Sequence, residues 1–232
     1  MLYTSTRDNS IRVSAAQAIA QGISEEGGLF VPVELPHFDI EKIASMASMN
    51  YIDRAKTVLK EYLTDFTEEE LDYCVSGAYA AQKFSSPQIA PTVNVDGNKN
   101  ILELWHGPTC AFKDMALQLL PYLMTVSAKK TADGKTIVIL VATSGDTGKA
   151  ALEGFKNVDN TKILVFYPVD GVSPMQKLQM TTQEGENVAV CAINGNFDDA
   201  QSAVKSIFTN NDIKKELAKK NICLLYTSDA AD

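Results

Sequence analysis

The 232-residue sequence is poor in the residues that build metal and disulfide sites, and it has no long apolar segment. Its two histidines and four widely separated cysteines do not have metal-ligand spacing, so the sequence predicts no zinc site and reduced thiols. Continuous apolar runs are short, as at residues 137–142, and residues 1–22 lack the apolar core of a signal peptide. We therefore expect a cytoplasmic protein with no membrane partner.

Positive charge is also scarce. The 21 lysines and arginines are outnumbered by 29 aspartates and glutamates, which gives a net charge of −8 at pH 7. The lysines near the carboxyl terminus fall on one short predicted helix with Glu216 and form a solvated face. Such a surface repels nucleic acid, so we expect no nucleic-acid partner, and any anionic substrate must be held by local groups.

Residues 1–85 have the pattern of a helical module. Ser14 with Gln17 and Thr67 with Glu70 have the spacing of capping boxes, in which two side chains satisfy the first N–H groups of a helix. Two more segments with helical periodicity and one turn that leads into an extended piece complete the module, at residues 40–49, 51–63 and 27–32.

Beyond a linker near residue 86, the pattern changes. Asp96-Gly97 between two extended segments predicts a hairpin. Strands and helices then alternate, and this predicts a mainly parallel sheet wrapped by helices, an α/β domain over residues 86–224. Pro121 interrupts one helical run, so we expect a kink there or two shorter helices. The predicted strands are residues 136–142, 162–167 and 188–192, and the helices between and after them are residues 149–155, 175–183 and 200–208.

Lys113 lies where one of these helices is predicted to begin, at the end of the segment HGPTCAFKD (residues 106–114). A lysine amine attacks a carbonyl only in its neutral form, whereas an exposed lysine is protonated at neutral pH. The positive end of a helix, the apolar wall of Ala111 and Phe112, or a cationic cofactor group would each favour the neutral amine. The alternative is a lysine that is solvated or salt-bridged beside Asp114.

A second segment, TSGDTG (residues 143–148), directly follows a predicted buried strand and opens a helix. Such a turn offers backbone N–H groups and hydroxyls to an anion at the carboxyl-terminal edge of the sheet. The spacing does not fit a Walker A motif, which needs glycine at Thr143 and a hydroxyl residue at Ala150. An ordinary turn in which Asp146 or Thr147 caps the helix is the alternative.

Two further polar groups have simpler interpretations. NGNFDD (residues 194–199) repeats the strand, turn and helix order, and we expect Asp198 and Asp199 to be capping residues stabilised by the helix dipole. Arg7 is interpreted as a solvated arginine, with anion binding as the alternative.

The HGPTCAFKD and TSGDTG segments, together with residues 3–7, 27–32 and 194–199, resemble threonine synthases. These are pyridoxal-phosphate enzymes of the tryptophan-synthase-β type of fold, also called fold type II. The resemblance implies that Lys113 binds pyridoxal 5'-phosphate covalently and then moves protons on the substrate. It also implies that Asp146 lies beside the cofactor ring, where its carboxylate requires compensation or a proton. The residues expected to hold the substrate carboxylate are Thr143, Ser144, Gly145 and Thr147.

The family converts O-phosphohomoserine and water to threonine and phosphate, so the resemblance implies a small-molecule substrate and a lyase of threonine biosynthesis. A threonine-synthase-like phospholyase acting on a related phosphorylated amino acid, and a non-catalytic scaffold that keeps the fold, are the alternatives. Residues 225–232 depart from the family pattern. We therefore expect a fragment in which residues 86–224 form an incomplete catalytic domain.

Overall fold

Helix-capping residues shape the amino-terminal part of the structure, a computed structural model that describes residues 1–131 and 134–228. Ser14 accepts a hydrogen bond from the Gln17 N–H at 3.2 Å, and the Gln17 side chain accepts from the Ser14 N–H at 2.9 Å. Thr67 and Glu70 form the same reciprocal box, so both predicted caps are confirmed. The elements in this part are β1 (Tyr3–Ser5), α1 (Ala15–Gln21), β2 (Phe30–Pro32), α2 (Ile40–Met46), α3 (Tyr51–Tyr62) and α4 (Glu68–Ala78).

An antiparallel hairpin and an alternation of helices and strands follow. The hairpin turns at Gly97, which adopts a positive φ of 53° and confirms the turn predicted from Asp96-Gly97. The elements are β3 (Thr92–Asp96), β4 (Lys99–Leu102), α5 (Asp114–Leu117), α6 (Leu120–Thr131), β5 (Thr136–Ala142), α7 (Asp146–Phe155), β6 (Thr161–Pro168), α8 (Pro174–Thr181), β7 (Val188–Ile193), α9 (Phe197–Thr209), α10 (Asn211–Lys219) and β8 (Ile222–Ser228).

The main sheet is parallel and has the strand order β7-β6-β5-β8, as expected for an α/β domain. Strand β5 lies inside the sheet, and its side chains alternate between two buried faces. Ile139 and Val141 pack with Phe155 of α7 on one face, and Leu140 packs with Val204 of α9 on the other. Helices therefore cover both faces of β5, which explains its nearly continuous apolar sequence.

The amino-terminal module has its own core and shares it with helix α6. The buried residues of α4 are Leu71, Cys74, Val75 and Ala78, and they form one cluster with Leu123 and Val126 of α6. Burial in this cluster raises the pKa of the Cys74 thiol to about 12, so Cys74 stays a neutral core residue at physiological pH. None of the described helices combines the length and apolar character needed to cross a bilayer.

Three element bounds refine the predictions. The run around Pro121 is divided into two helices, α5 and α6, in agreement with one of the two predicted outcomes. Helix α7 begins at Asp146, three residues before its predicted start. Strand β8 continues past residue 224 and pairs with β5 as far as Ser228, so residues 225–228 of the predicted tail extend the sheet. Residues 229–232 of that tail lie outside the described residues.

Candidate active site

The TSGDTG loop (residues 143–148) lies at the carboxyl-terminal end of β5 and leads into α7. This edge of a parallel sheet is where α/β proteins bind ligands, because several helices begin there with N–H groups that have no partner within the helix. Of the helices after β5, β6 and β7, α8 and α9 begin with side-chain capping boxes. In contrast, the residue at the start of α7 is Gly145, which has no side chain to form a capping box. The positive end of α7 is thus a candidate site for an external anion.

Thr143 gives this loop its shape. Its side chain is fully buried, and its hydroxyl oxygen accepts hydrogen bonds from the N–H groups of Gly145 (3.0 Å) and Gly148 (2.9 Å). Gly145 has a φ of 153°, a conformation that glycine adopts without strain. The Thr147 hydroxyl is also buried, but it has no hydrogen-bond partner in the described part of the chain. A buried hydroxyl of this kind is available to a bound polar ligand.

Lys113 lies at the residue that precedes α5, as predicted, and its backbone carbonyl accepts the Leu117 N–H at 2.9 Å. The side chain is half-buried, and Nζ lies 5.5 Å from the centroid of the Phe112 ring. Phe112 is itself 55% exposed, so its ring forms an exposed apolar surface beside the amine.

The turn before Lys113 is held by Asp114, whose side chain is fully buried. One carboxylate oxygen accepts from the Thr109 N–H at 2.8 Å and the other from the Thr109 hydroxyl at 2.7 Å. A side chain at Gly107 would overlap this carboxylate, which explains the glycine. Burial raises the pKa of Asp114, whereas the hydrogen bonds from Thr109 act in the opposite direction. Asp114 therefore fixes the backbone on both sides of the lysine.

Helices α5 and α7 pack directly against each other. A Cβ atom at Gly154 of α7 would overlap the carbonyl oxygen of Leu117, so the two backbones are in contact at this point. The charges of Glu153 and Lys149 on α7 reach the carboxyl group of Asp114, the former raising its pKa and the latter lowering it. The segment that begins at Lys113 and the helix that begins in the TSGDTG loop thus form one structural unit.

Comparisons with known proteins agree with this architecture. Residues 2–79 match the family described as "Threonine synthase N terminus". Threonine synthase of Pseudomonas aeruginosa is 40% identical over 217 residues, an alignment that covers 93% of this chain and 45% of that protein. The structure of PLP-bound threonine synthase from Brucella melitensis superposes with a TM-score of 0.85 at 36% identity, over 98% of this chain and 48% of that one. Threonine synthase from Escherichia coli superposes with a TM-score of 0.84 at 34% identity, over 97% and 49% of the two chains.

In sequence and in fold, the chain is a relative of the threonine synthases. It spans about half the length of the relatives it matches. The match to the threonine synthase N terminus lies within the helical module, and the structural superposition extends it across the parallel sheet. The fold type inferred from the HGPTCAFKD and TSGDTG segments is therefore confirmed for this threonine synthase relative.

Arg7 and His106 have structural partners within the described part of the chain. Arg7 donates from Nη1 to the carbonyl oxygen of Glu26 at 2.9 Å, which braces the turn before β2. His106 contacts Glu103 through Nε2 at 2.7 Å and Ser85 through Nδ1 at 2.9 Å. These contacts explain both residues by local structure.

The capping interpretation of the NGNFDD segment is confirmed for Asp199. Its carboxylate accepts from the Asn196 N–H at 2.8 Å, and the Asn196 side chain accepts from the Asp199 N–H at 3.0 Å. Asp198 lies beside it in the first turn of α9, where the helix dipole favours a negative charge.

Two residues at the site were not identified from the sequence. Asp114 is next to Lys113, but no local pattern indicates that its carboxylate is buried. Gln176 lies on α8, and its side-chain amide donates to the Asp146 carboxylate at 2.8 Å. Gln176 forms a capping box with Ser173, yet nothing local indicates a contact with a residue 30 positions away.

Proposed function

We propose that this chain carries the cofactor lysine and the substrate loop of a cytoplasmic threonine synthase, which converts O-phosphohomoserine and water to threonine and phosphate. The proposal is supported by 40% identity to the Pseudomonas aeruginosa threonine synthase and by the superposition on the PLP-bound threonine synthase of Brucella melitensis. The observation that carries it is the packing of α5, which directly follows Lys113, against α7, which begins in the TSGDTG loop.

The residues present fit pyridoxal phosphate. Lys113 would hold it, because its amine is half-buried beside the Phe112 ring at the start of α5. Asp146 would lie beside its ring, and the unpartnered hydroxyl of Thr147 marks a polar position at the same edge of the sheet. When bound, pyridoxal phosphate supplies the electron sink for carbanion chemistry, and the protein supplies binding, orientation and proton transfer.

The TSGDTG loop would hold the carboxylate of the substrate. Ser144 and Thr147 would supply the donors at the start of α7, because the Gly145 N–H already donates to the Thr143 hydroxyl, and the helix dipole adds favourable electrostatics for an anion there. Thr143 contributes by fixing the loop, because its buried hydroxyl oxygen is already bonded to two loop N–H groups. In this arrangement the substrate carboxylate is oriented before proton transfer begins.

Lys113 would also move protons at the α and β carbons of the substrate while the γ-phosphate leaves. A general base must reach the proton that it removes, and an amine on a fixed turn does so with little loss of entropy. Asp114 supports this role indirectly, because both of its carboxylate oxygens accept hydrogen bonds from Thr109 and fix the turn before Lys113. The buried carboxylate thus positions the backbone of the base.

Covalent labelling tests the proposal. The chain is incubated with pyridoxal phosphate, reduced with borohydride, digested, and mapped by mass spectrometry. We expect the adduct on Lys113, and loss of that adduct in K113A, whereas K177A on the exposed face of α8 should keep it. An adduct distributed over exposed lysines, or unchanged labelling of the K113A chain, would remove Lys113 from the proposed role.

A further inference from the structure

Gln176 joins the starts of two helices at the candidate site. Its side-chain oxygen accepts from the Ser173 N–H at 3.1 Å and closes the capping box of α8. Its side-chain nitrogen donates to Oδ1 of Asp146, in the first turn of α7, at 2.8 Å. One amide group therefore uses its acceptor for its own helix and its donor for the neighbouring one.

The same amide covers Gly145. A Cβ atom at that position would overlap the amide carbon and nitrogen of Gln176, so the amide rests directly on the loop backbone. Lys149 of α7 also bonds the side chain of Gln183, just after α8, which keeps the two helices together beyond this contact. Gln176 thus contacts the TSGDTG loop by packing as well as by its hydrogen bond.

The negative charge of Asp146 lies close to the place proposed for an anionic ligand, and Gln176 binds that carboxylate. A carboxylate in the first turn of a helix is drawn to the N–H groups of that helix, and there it would compete with an anionic ligand. An amide donor bonded to the carboxylate satisfies one of its oxygens and fixes its direction. The first-turn N–H groups of α7 that do not bond Thr143 then stay available for the carboxylate of a substrate.

We propose that Gln176 is a positioning residue for the TSGDTG loop, and that it holds the Asp146 carboxylate away from the place where a substrate carboxylate binds. This inference rests on the proposed function, since it assigns to that site a residue on a third helix. It also gives Asp146 the compensating partner that a carboxylate beside the cofactor ring requires.

A charge-swap pair of variants isolates this contact. Q176E keeps an acceptor for the Ser173 N–H, because glutamate is a usual partner in a capping box, but it places a second carboxylate against Asp146. D146N combined with Q176E restores a donor and an acceptor at the contact, and it restores the net charge of the pair. Q179E, one turn further along α8, adds the same charge without that contact and serves as the matched control.

The readout is the dissociation constant of O-phosphohomoserine for the cofactor-free full chain, measured by calorimetry, with Lys113 labelling by pyridoxal phosphate measured in parallel. We expect Q176E to weaken binding about tenfold through like-charge repulsion at the loop. We expect the double variant to bind within about threefold of the wild type, and Q179E within about twofold.

The outcomes separate the two proposals. If the wild type binds and labels at Lys113 while Q176E binds equally well, or the double variant stays as weak as Q176E, the positioning role is wrong and the proposed function stands. If the wild type neither binds O-phosphohomoserine nor labels at Lys113, the proposed function fails, and the role of Gln176 fails with it.

Discussion

Two strand-to-helix turns at the same edge of the sheet begin alike and end differently. After β5 and after β7, a glycine with a φ of about 155° turns the chain toward a helix, Gly145 in the first case (153°) and Gly195 in the second (157°). At α9 the side chains of Asn196 and Asp199 then satisfy the helix end. At α7 the corresponding residue is Gly145, which has no side chain, and the Thr143 hydroxyl bonds the Gly148 N–H instead.

The difference shows how one backbone design serves two purposes. Both helices carry a carboxylate in the first turn, but only at α9 does it belong to a capping box, formed by Asp199 and Asn196. In the turn at α7, the hydroxyl of Thr143 accepts from the N–H of Gly145, and the side-chain amide of Gln176 donates to the Asp146 carboxylate. We propose that an anion from outside completes the α7 end, whereas a capping box completes the α9 end.

The largest predicted effect comes from T143V. The substitution keeps the shape of the side chain but removes the acceptor of two buried N–H groups, and each stranded group costs about 1–3 kcal/mol. We expect a decrease of at least about 2 kcal/mol in the free energy of unfolding, measured by urea denaturation. T181V, which removes an exposed hydroxyl on α8, should change it by less than about 0.5 kcal/mol. Equal effects of the two substitutions would mean that Thr143 does not hold the loop.

The second prediction concerns the turn before α9. N196A removes the side-chain cap of α9, and we expect it to lower the free energy of unfolding by about 1 kcal/mol. Binding of O-phosphohomoserine, measured by calorimetry, should not change, because the α9 end is assigned to stability. A clear loss of binding in N196A would show that the two turns are not divided in this way.

The third prediction concerns the buried carboxylate next to Lys113. Burial raises the pKa of Asp114 in the folded state, so the folded chain keeps this proton to a higher pH than the unfolded chain does. The contribution of Asp114 to stability therefore falls as the pH rises from its unfolded value, about 3.9, through the raised folded value. We expect the free energy of unfolding of D114N, relative to wild type, to increase between pH 3 and pH 7. Urea denaturation across this range checks the sign, and a relative decrease would contradict it.

The smallest effect on stability is predicted for T147V. The buried Thr147 hydroxyl has no partner in the residues that the structure describes, so its removal should leave the free energy of unfolding unchanged or slightly raised. Binding of O-phosphohomoserine should nevertheless weaken about tenfold, the effect of one lost hydrogen bond to a charged group. If T147V instead lowered the free energy of unfolding and left binding unchanged, Thr147 would be a structural residue only.

Local patterns predicted the features that depend on neighbouring residues. The capping box at Ser14, the hairpin at Gly97 and the start of a helix after Lys113 each follow from a few adjacent side chains. The bounds of β5 were predicted from its apolar run, because both faces of that strand are covered by helices. In contrast, α7 begins before its apolar periodicity does, within a glycine-rich loop that carries no such pattern.

The contacts that complete the site were not predictable in this way. Gln176 and Asp146 are 30 residues apart, and only the parallel arrangement of β5 and β6 places their helices side by side. The burial of Asp114 likewise depends on the packing of α5 against α7. Such contacts arise from tertiary structure, so a sequence pattern can suggest the residue types but cannot pair them.

The most direct test of the account compares the two helix ends in one experiment. The backbone amides of the ¹⁵N-labelled chain are observed by NMR during titration with O-phosphohomoserine. We predict that the amide signals of Ser144, Asp146 and Thr147 shift with the ligand, while those of Phe197 and Asp198 at the start of α9 do not. Shifts at the start of α9 without shifts at the start of α7 would contradict the assignment of the start of α7 as the substrate site.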